Sequence, residues 1–184
     1  GTWEVGAPTS GPGSAFEGDY CLATELDGNY PETALSKFIK IQSIRLPDAD
    51  SYPRLRFQSY YSFNEHSDDR DNGKVLIKPQ GADDWIQLEE DITVNSGGIW
   101  FNAFYDLIEY AGQTVQLAFE IDVADTYYSS DEDIGWYIDN VQIETGPMVF
   151  NNPEGWEDGI GDWYVTNGTW EVGAPTSGPG SAYE

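Results

Sequence analysis

The sequence predicts an all-β protein, a two-sheet antiparallel sandwich of jelly-roll type, and three observations carry that expectation. Apolar and polar residues alternate with period two along most of the chain. Clusters of Gly, Pro, Asn and Asp interrupt the alternation at short intervals, and no stretch carries a convincing helical period. Seven Trp and twelve Tyr, in a chain of 184 residues that is 39% hydrophobic, supply a core of ordinary size despite a mean hydropathy of −0.51.

The clearest strand is QTVQLAFEIDVAD (113–125), in which Val115, Leu117, Phe119, Ile121 and Val123 share one face. Similar alternation marks DYCLATEL (19–26), SKFIKIQSIRL (36–46), PRLRFQSYYSF (53–63), GKVLIKP (73–79) and WIQLEE (85–90). It continues in WFNAFYDL (100–107), GWYIDNVQIE (135–144) and DWYVTNGTWEVG (162–173). DLIEYAG (106–112) has room for one helical turn, stopped by Gly112.

Charge narrows the function classes. Thirty-three acidic against eight basic residues give a net charge of −25, which repels phosphate backbones and anionic lipid. Nucleic-acid and membrane-surface partners are therefore not expected. The acidity fits either a solvated surface suited to a salty exterior or carboxylates gathered around cations, and both stay open. Cys21 stands alone, so no intramolecular disulfide forms, and its apolar-alternating context reads as a buried core thiol. No apolar run approaches the roughly 18 residues of a membrane span. No leader, initiator Met or tag is visible, and the chain reads as a slice of something longer.

An internal repeat supports that reading. GTWEVGAPTSGPGSA occupies 1–15 and again 168–182, then Phe16 faces Tyr183 and Glu17 matches Glu184, a period of 167 residues. GPMVFNNPEG (146–155), with two Pro and two Gly after a finished strand, reads as an inter-domain joint. Residues 1–147 are then the C-terminal part of one repeat and 148–184 the N-terminal part of the next. A unit of 148–184 continued by 18–147 recovers the period.

Read in that order, the unit opens with GWEDG…W, passes W-x-x-G with a Pro/Gly loop and a DGNYP turn, and closes with YAGQTVQL and GWYIDNV. It resembles the MAM-like jelly-roll domains called choice-of-anchor J, found in secreted bacterial proteins. Related modules follow the catalytic domain of immune inhibitor A-type metalloproteases. The opening and closing phrases are also similar to those of jelly-roll carbohydrate-binding modules. In those folds the first and last strands lie side by side, and an acidic residue of each holds a structural calcium ion. The resemblance implies Glu157 and Asp139 as Ca2+ ligands here, with Asp19 of EGDY as a third. Six to eight hard oxygens from neighbouring strand ends satisfy calcium. The alternative is that Glu157 and Asp139 cap strand ends by accepting from backbone amides.

Other candidate chemistry is sparse. SDDRDNGKV (67–75) fails as an EF-hand: with Asp69 first, position six is Lys74 and position twelve Gln80. An acidic hairpin loop with Asp71-Asn72-Gly73 turn chemistry is the plainer reading, with Glu65 or Asp71 open to another cation. SSDEDIG (129–135) reads the same way. His66 is the one histidine, an exposed loop residue, so His-based zinc clusters are absent. No nucleophile elbow or phosphate loop occurs, and the chain reads as a non-enzyme. Asn167-Gly168-Thr169 matches a sequon, which carries little weight if the chain is bacterial, as the resemblance implies. Tyr127 and Tyr128, in an acidic loop, and Tyr60, where Tyr60-Tyr61 breaks the alternation, are the aromatic candidates for stacking on sugar rings.

Two functions are carried forward. One is a calcium-stabilised structural or adhesive tandem repeat of a long secreted or cell-surface protein, whose partners are neighbouring copies linked head to tail by strand donation. The other is a carbohydrate-binding module whose partner is a glycan. The two copies of GTWEVGAPTSGPGSA should fit one slot, which leaves open which of them sits in the fold.

Overall fold

The computed structural model describes residues 2–64, 71–123, 133–147, 155–157, 163 and 172–178. Within them, ten strands form two five-stranded antiparallel sheets. The first runs β1 (Glu4–Gly6), β2 (Cys21–Ala23), β10 (Gly135–Glu144), β5 (Arg54–Ser62), β8 (Phe101–Asp106). The second runs β3 (Ala34–Ile39), β9 (Thr114–Val123), β6 (Asn72–Pro79), β7 (Ile86–Gln87), with β4 (Ile44–Arg45) on the opening residues of β9. This is the all-β jelly-roll sandwich that the alternation predicts. The turn expected in DLIEYAG is a single 3-10 turn at Ile108–Tyr110, with Gly112 at φ 71° after it.

The odd residues of β9 meet Leu55 and Phe57 of β5, Ala103 and Tyr105 of β8, and Trp136 and Ile138 of β10 in one core. Trp136 is fully buried at its centre, within 5.5 Å of the Phe119 ring, 6.1 Å of Trp3 and 6.3 Å of Phe57. Gly73 of β6 lies directly beneath it: a Cβ there would stand 2.8 Å from the indole. The expected Asp71-Asn72-Gly73 turn is therefore a correction. Asn72 and Gly73 are strand residues paired with Asp122 and Ile121, and the glycine serves the indole rather than a turn. Asp71 is buried and accepts a 2.7 Å hydrogen bond from the Tyr30 phenol.

Two other strands differ from expectation. The segment 36–46 splits into β3 and β4, because Ile39 pairs with Ala118 and Ile44 with Val115. Four residues of one strand thus face two of β9, and the excess bows outward, held by Gln116 Nε2 donating to the carbonyls of Lys40 and Ile41. WIQLEE shortens to the two residues of β7. The strand expected at 162–173 lies almost wholly outside the described residues.

The first copy of the repeated phrase sits in the fold. Glu4, Val5 and Gly6 pair with Ala23, Leu22 and Cys21, and Trp3 turns inward with its indole N–H donating to Ser36 O at 3.2 Å. Val5, in register with the core-facing Leu22 and Ile138, is nevertheless 68% exposed, because β1 is an edge strand with nothing beyond it among the described residues. The described part of the second copy, 172–178, forms no strand and is exposed but for a half-covered Pro175.

Cys21 is buried as expected. Burial, and then the Asp139 carboxylate, push its thiol up to about 11. A shift of that size lowers the thiolate fraction roughly a hundredfold at neutral pH. Native protein should therefore resist a thiol reagent at pH 8 and react stoichiometrically in denaturant. Comparable rates in the two states would place Cys21 in contact with solvent.

Candidate functional site

The closing phrase GWYIDN organises the solvent side of the first sheet. Trp136 and Ile138 point into the core, so Tyr137 and Asp139 point out. A β-bulge follows between Asp139 and Gln142, with Asn140 at φ 50°, a conformation Asn tolerates. The bulge turns this end of β10 toward the loop that leaves β1. Asp139 Oδ2 accepts from the backbone amides of Phe16 (3.0 Å) and Glu17 (3.1 Å), and Oδ1 from Asn140 N at 2.8 Å. Asn140 Nδ2 in turn donates to Glu17 Oε2 at 2.7 Å. Farther along the loop, the Ser10 hydroxyl and Tyr137 phenol share a 2.7 Å hydrogen bond. The repeated phrase is thus clamped over β2 and β10, covering Cys21, Ala23 and Tyr137.

Beyond this clamp, strand pairing lines up two rows across β10, β5 and β8. Asp139, Gln58 and Asn102 form one row, and Gln142, Arg56 and Phe104 the next. Gln58 and Asn102 face away from the core, yet they are only 7% and 5% exposed. Their amides lock together: Asn102 Oδ1 accepts from Gln58 Nε2, Arg56 Nε (3.2 Å) and Arg56 Nη2 (3.1 Å). The Arg56 guanidinium lies 5.5 Å over the Phe104 ring and 3.6 Å from Glu144, which also pairs with Arg54 at 3.2 Å. On the clamp side stand Trp100 and Tyr60, with Phe16 edge-on to Trp100 at 6.1 Å. The result is a set of planar donors and acceptors held in fixed orientation between aromatic rings.

Each predicted site residue has a definite place or lies outside the described residues. Asp139 is the amide anchor just described, which is the strand-end capping that the sequence left open. Asp19 and Glu157 are exposed. Among the described residues no three acidic, histidine or cysteine side chains converge on one point. Asp139 meets Glu17 directly at its backbone amide and, through Asn140, at its carboxylate. Tyr60 is half-buried on the outer side of the first sheet, edge-on to Tyr137 at 6.0 Å and tilted against Trp100 at 5.8 Å. Tyr127, Tyr128, Glu65 and His66 lie outside the described residues. The sequence reading missed Gln58, Asn102 and Arg56; their parity on β5 and β8 places them outward, but only strand order makes them neighbours.

Fold and face together define a jelly-roll module with a built polar surface on one sheet. No protein-family model matches the chain. It is 33% identical over 161 residues to bacillopeptidase F of Bacillus subtilis (strain 168), an alignment covering 84% of this chain. The chain spans about a tenth of the length of that curated relative (10%). Among solved structures, it is similar to the carbohydrate-binding module CBM61 in complex with β-1,4-galactotriose, at 13% identity and a TM-score of 0.47, covering 79% of this chain and 83% of that one. It is also similar to CBM28, a module specific for non-crystalline cellulose, at 16% identity and a TM-score of 0.48, covering 79% and 89%.

Proposed function

We propose that the chain is a non-catalytic, glycan-binding module of a longer extracellular protein, and that the solvent side of its first sheet is the binding face. The observation that carries this is the Gln58–Asn102–Arg56 cluster. Polar side chains on the outer side of a sheet ordinarily extend into water, whereas Gln58 and Asn102 are buried and are held in orientation by each other and by the half-buried Arg56. Preorganised amides and a guanidinium next to ring faces suit a neutral, polyhydroxylated ligand. The net charge of −25 disfavours anionic ones. No helix among the described residues is long and apolar enough to cross a membrane, and an extracellular setting is part of this proposal.

Affinity electrophoresis through gels containing neutral polysaccharides, β-1,4-galactan and soluble cellulose derivatives among them, tests the reading. The intact chain should be retarded by at least one. Asn102→Ala and Arg56→Ala should each abolish retardation while melting within a few degrees of the parent. Migration unaffected by every neutral glycan would dispose of it.

The 167-residue repeat favours a second reading, in which the module is also one unit of a tandem array. A permuted chain, 148–184 joined to 18–147, should then fold cooperatively on its own, and a permuted chain that stays unfolded would end that reading. Calcium bound through Asp139, with Glu157 and Asp19, belongs to the same proposal. Its test is a melting temperature that falls on adding chelator and ceases to respond in Asp139→Asn.

A further inference from the structure

We propose that the outer edge of β3 is the seat for residues 155–167 of a second copy of this chain, which adds there as one more strand. The inference rests on the tandem-array reading and moves the expected donor from the repeated phrase to the segment before it. β3 ends its sheet, and among the described residues nothing pairs with its outer side. Lys40 N donates to Leu117 O on β9, so by antiparallel alternation the backbone groups of Leu35, Lys37 and Ile39 turn to the open side. Apolar side chains crowd this edge: Leu35 is 70% exposed and Ile41 88%, with Phe38 and Ile39 at 40%. An edge this apolar is a template for another strand.

Three features name the occupant. Trp3 lies against β3, its ring 6.0 Å from Phe38 and its N–H on Ser36 O, so a chain entering the first copy of GTWEV arrives beside that edge. In the repeat, the residues that directly precede GTWEV are GWEDGIGDWYVTN (155–167). Trp163, Tyr164, Val165 and Thr166 of that segment are all good strand formers. Its Trp156 and Trp163 lie 5.4 Å apart and are still 42% and 45% exposed, which leaves much indole surface in water for a seat to cover. Charge agrees as well. Lys37 and Arg45 of this edge pair with Glu120 and Asp48, and Lys40 is the further basic residue there that can meet Glu157, Asp158 or Asp162 of the segment. Seat and segment are different surfaces, so the contact is head to tail and need not close on itself.

Light scattering of the full chain across a concentration series tests this, with two variants. Leu35→Glu combined with Ile39→Glu blocks the seat at exposed positions, and Val165→Pro blocks the segment. The parent should gain mass with concentration. Each variant alone should remain a monomer with unchanged circular dichroism and melting temperature, and a one-to-one mixture of the two should double the mass and stop there. A parent that stays monomeric at about 1 mM, variants that associate like the parent, or a mixture that stays monomeric would each overturn the proposal. Monomeric parent with β3 amides protected from exchange would assign the seat to the chain's own segment and overturn it too. If the permuted chain folds while the full chain does not associate, the array reading stands and the seat falls. If the permuted chain fails to fold while copies of the full chain associate as described, the seat stands and the array reading falls.

Discussion

Trp136→Ala is expected to destabilise the protein by about 3–5 kcal/mol, enough to consume much of the stability of an ordinary domain. The cost has two sources. The indole fills the space between the sheets, touching Trp3, Phe57 and Phe119, and sits over the bare backbone of Gly73, which has no side chain to collapse into the hole. Its N–H also donates to the Ser59 hydroxyl at 3.0 Å inside the core, and alanine leaves that hydroxyl without its partner. Urea denaturation should show a lower midpoint with an unchanged slope. Trp136→Phe, which keeps most of the volume but not the donor, should fall between. A loss under about 1 kcal/mol for the alanine variant would mean that the core repacks freely there, contrary to the interlocking described above.

The second large effect is a difference between two identical sequences. Gly11 and Gly178 occupy equivalent positions in the two copies of the phrase, and both have positive φ, 58° and 74°. A Cβ at Gly11 would stand 2.5 Å from the Tyr137 ring, whereas a Cβ at Gly178 meets nothing within 4 Å. Gly11→Ala should therefore cost about 2–4 kcal/mol, from backbone strain plus overpacking, and should disturb the Ser10–Tyr137 hydrogen bond. Gly178→Ala should stay within about 0.5 kcal/mol, because an exposed segment relieves its strain locally. Thermal melts of the two variants side by side give the answer. Equal effects would mean that both copies contribute to the fold, or that neither does.

Much of the architecture was legible in the chain because strand alternation reports burial one residue at a time. β5, β6, β8, β9 and β10 fall within a residue or two of the stretches read from it. β3 and β4 were fused because Lys40–Ser43 keeps a strand-like pattern, and the departure there is set by β9, far away in sequence. Asp71-Asn72-Gly73 misled for a similar reason. Local turn propensity was real, but a tryptophan 63 positions beyond Gly73 needed a residue without a side chain. The site was less legible still. Asp139 could be singled out, yet its partners are amides of residues 16 and 17, and backbone amides leave no mark in a sequence. Gln58 and Asn102 are ordinary outward residues until β5 and β8 are known to be neighbours.

The Asp139 clamp also sets a clock. It joins residues 16 and 17 to β10, and the first sheet places β1 and β2 beside that strand, so the sheet cannot close until Glu144 has been made. Contacts this distant in sequence slow folding. In a growing polypeptide, the second GTWEV emerges 24 residues after Glu144, about 1–5 s later at ordinary rates of synthesis. During that interval the first copy has the slot to itself. The copy found beside β2 is the one that is made earlier.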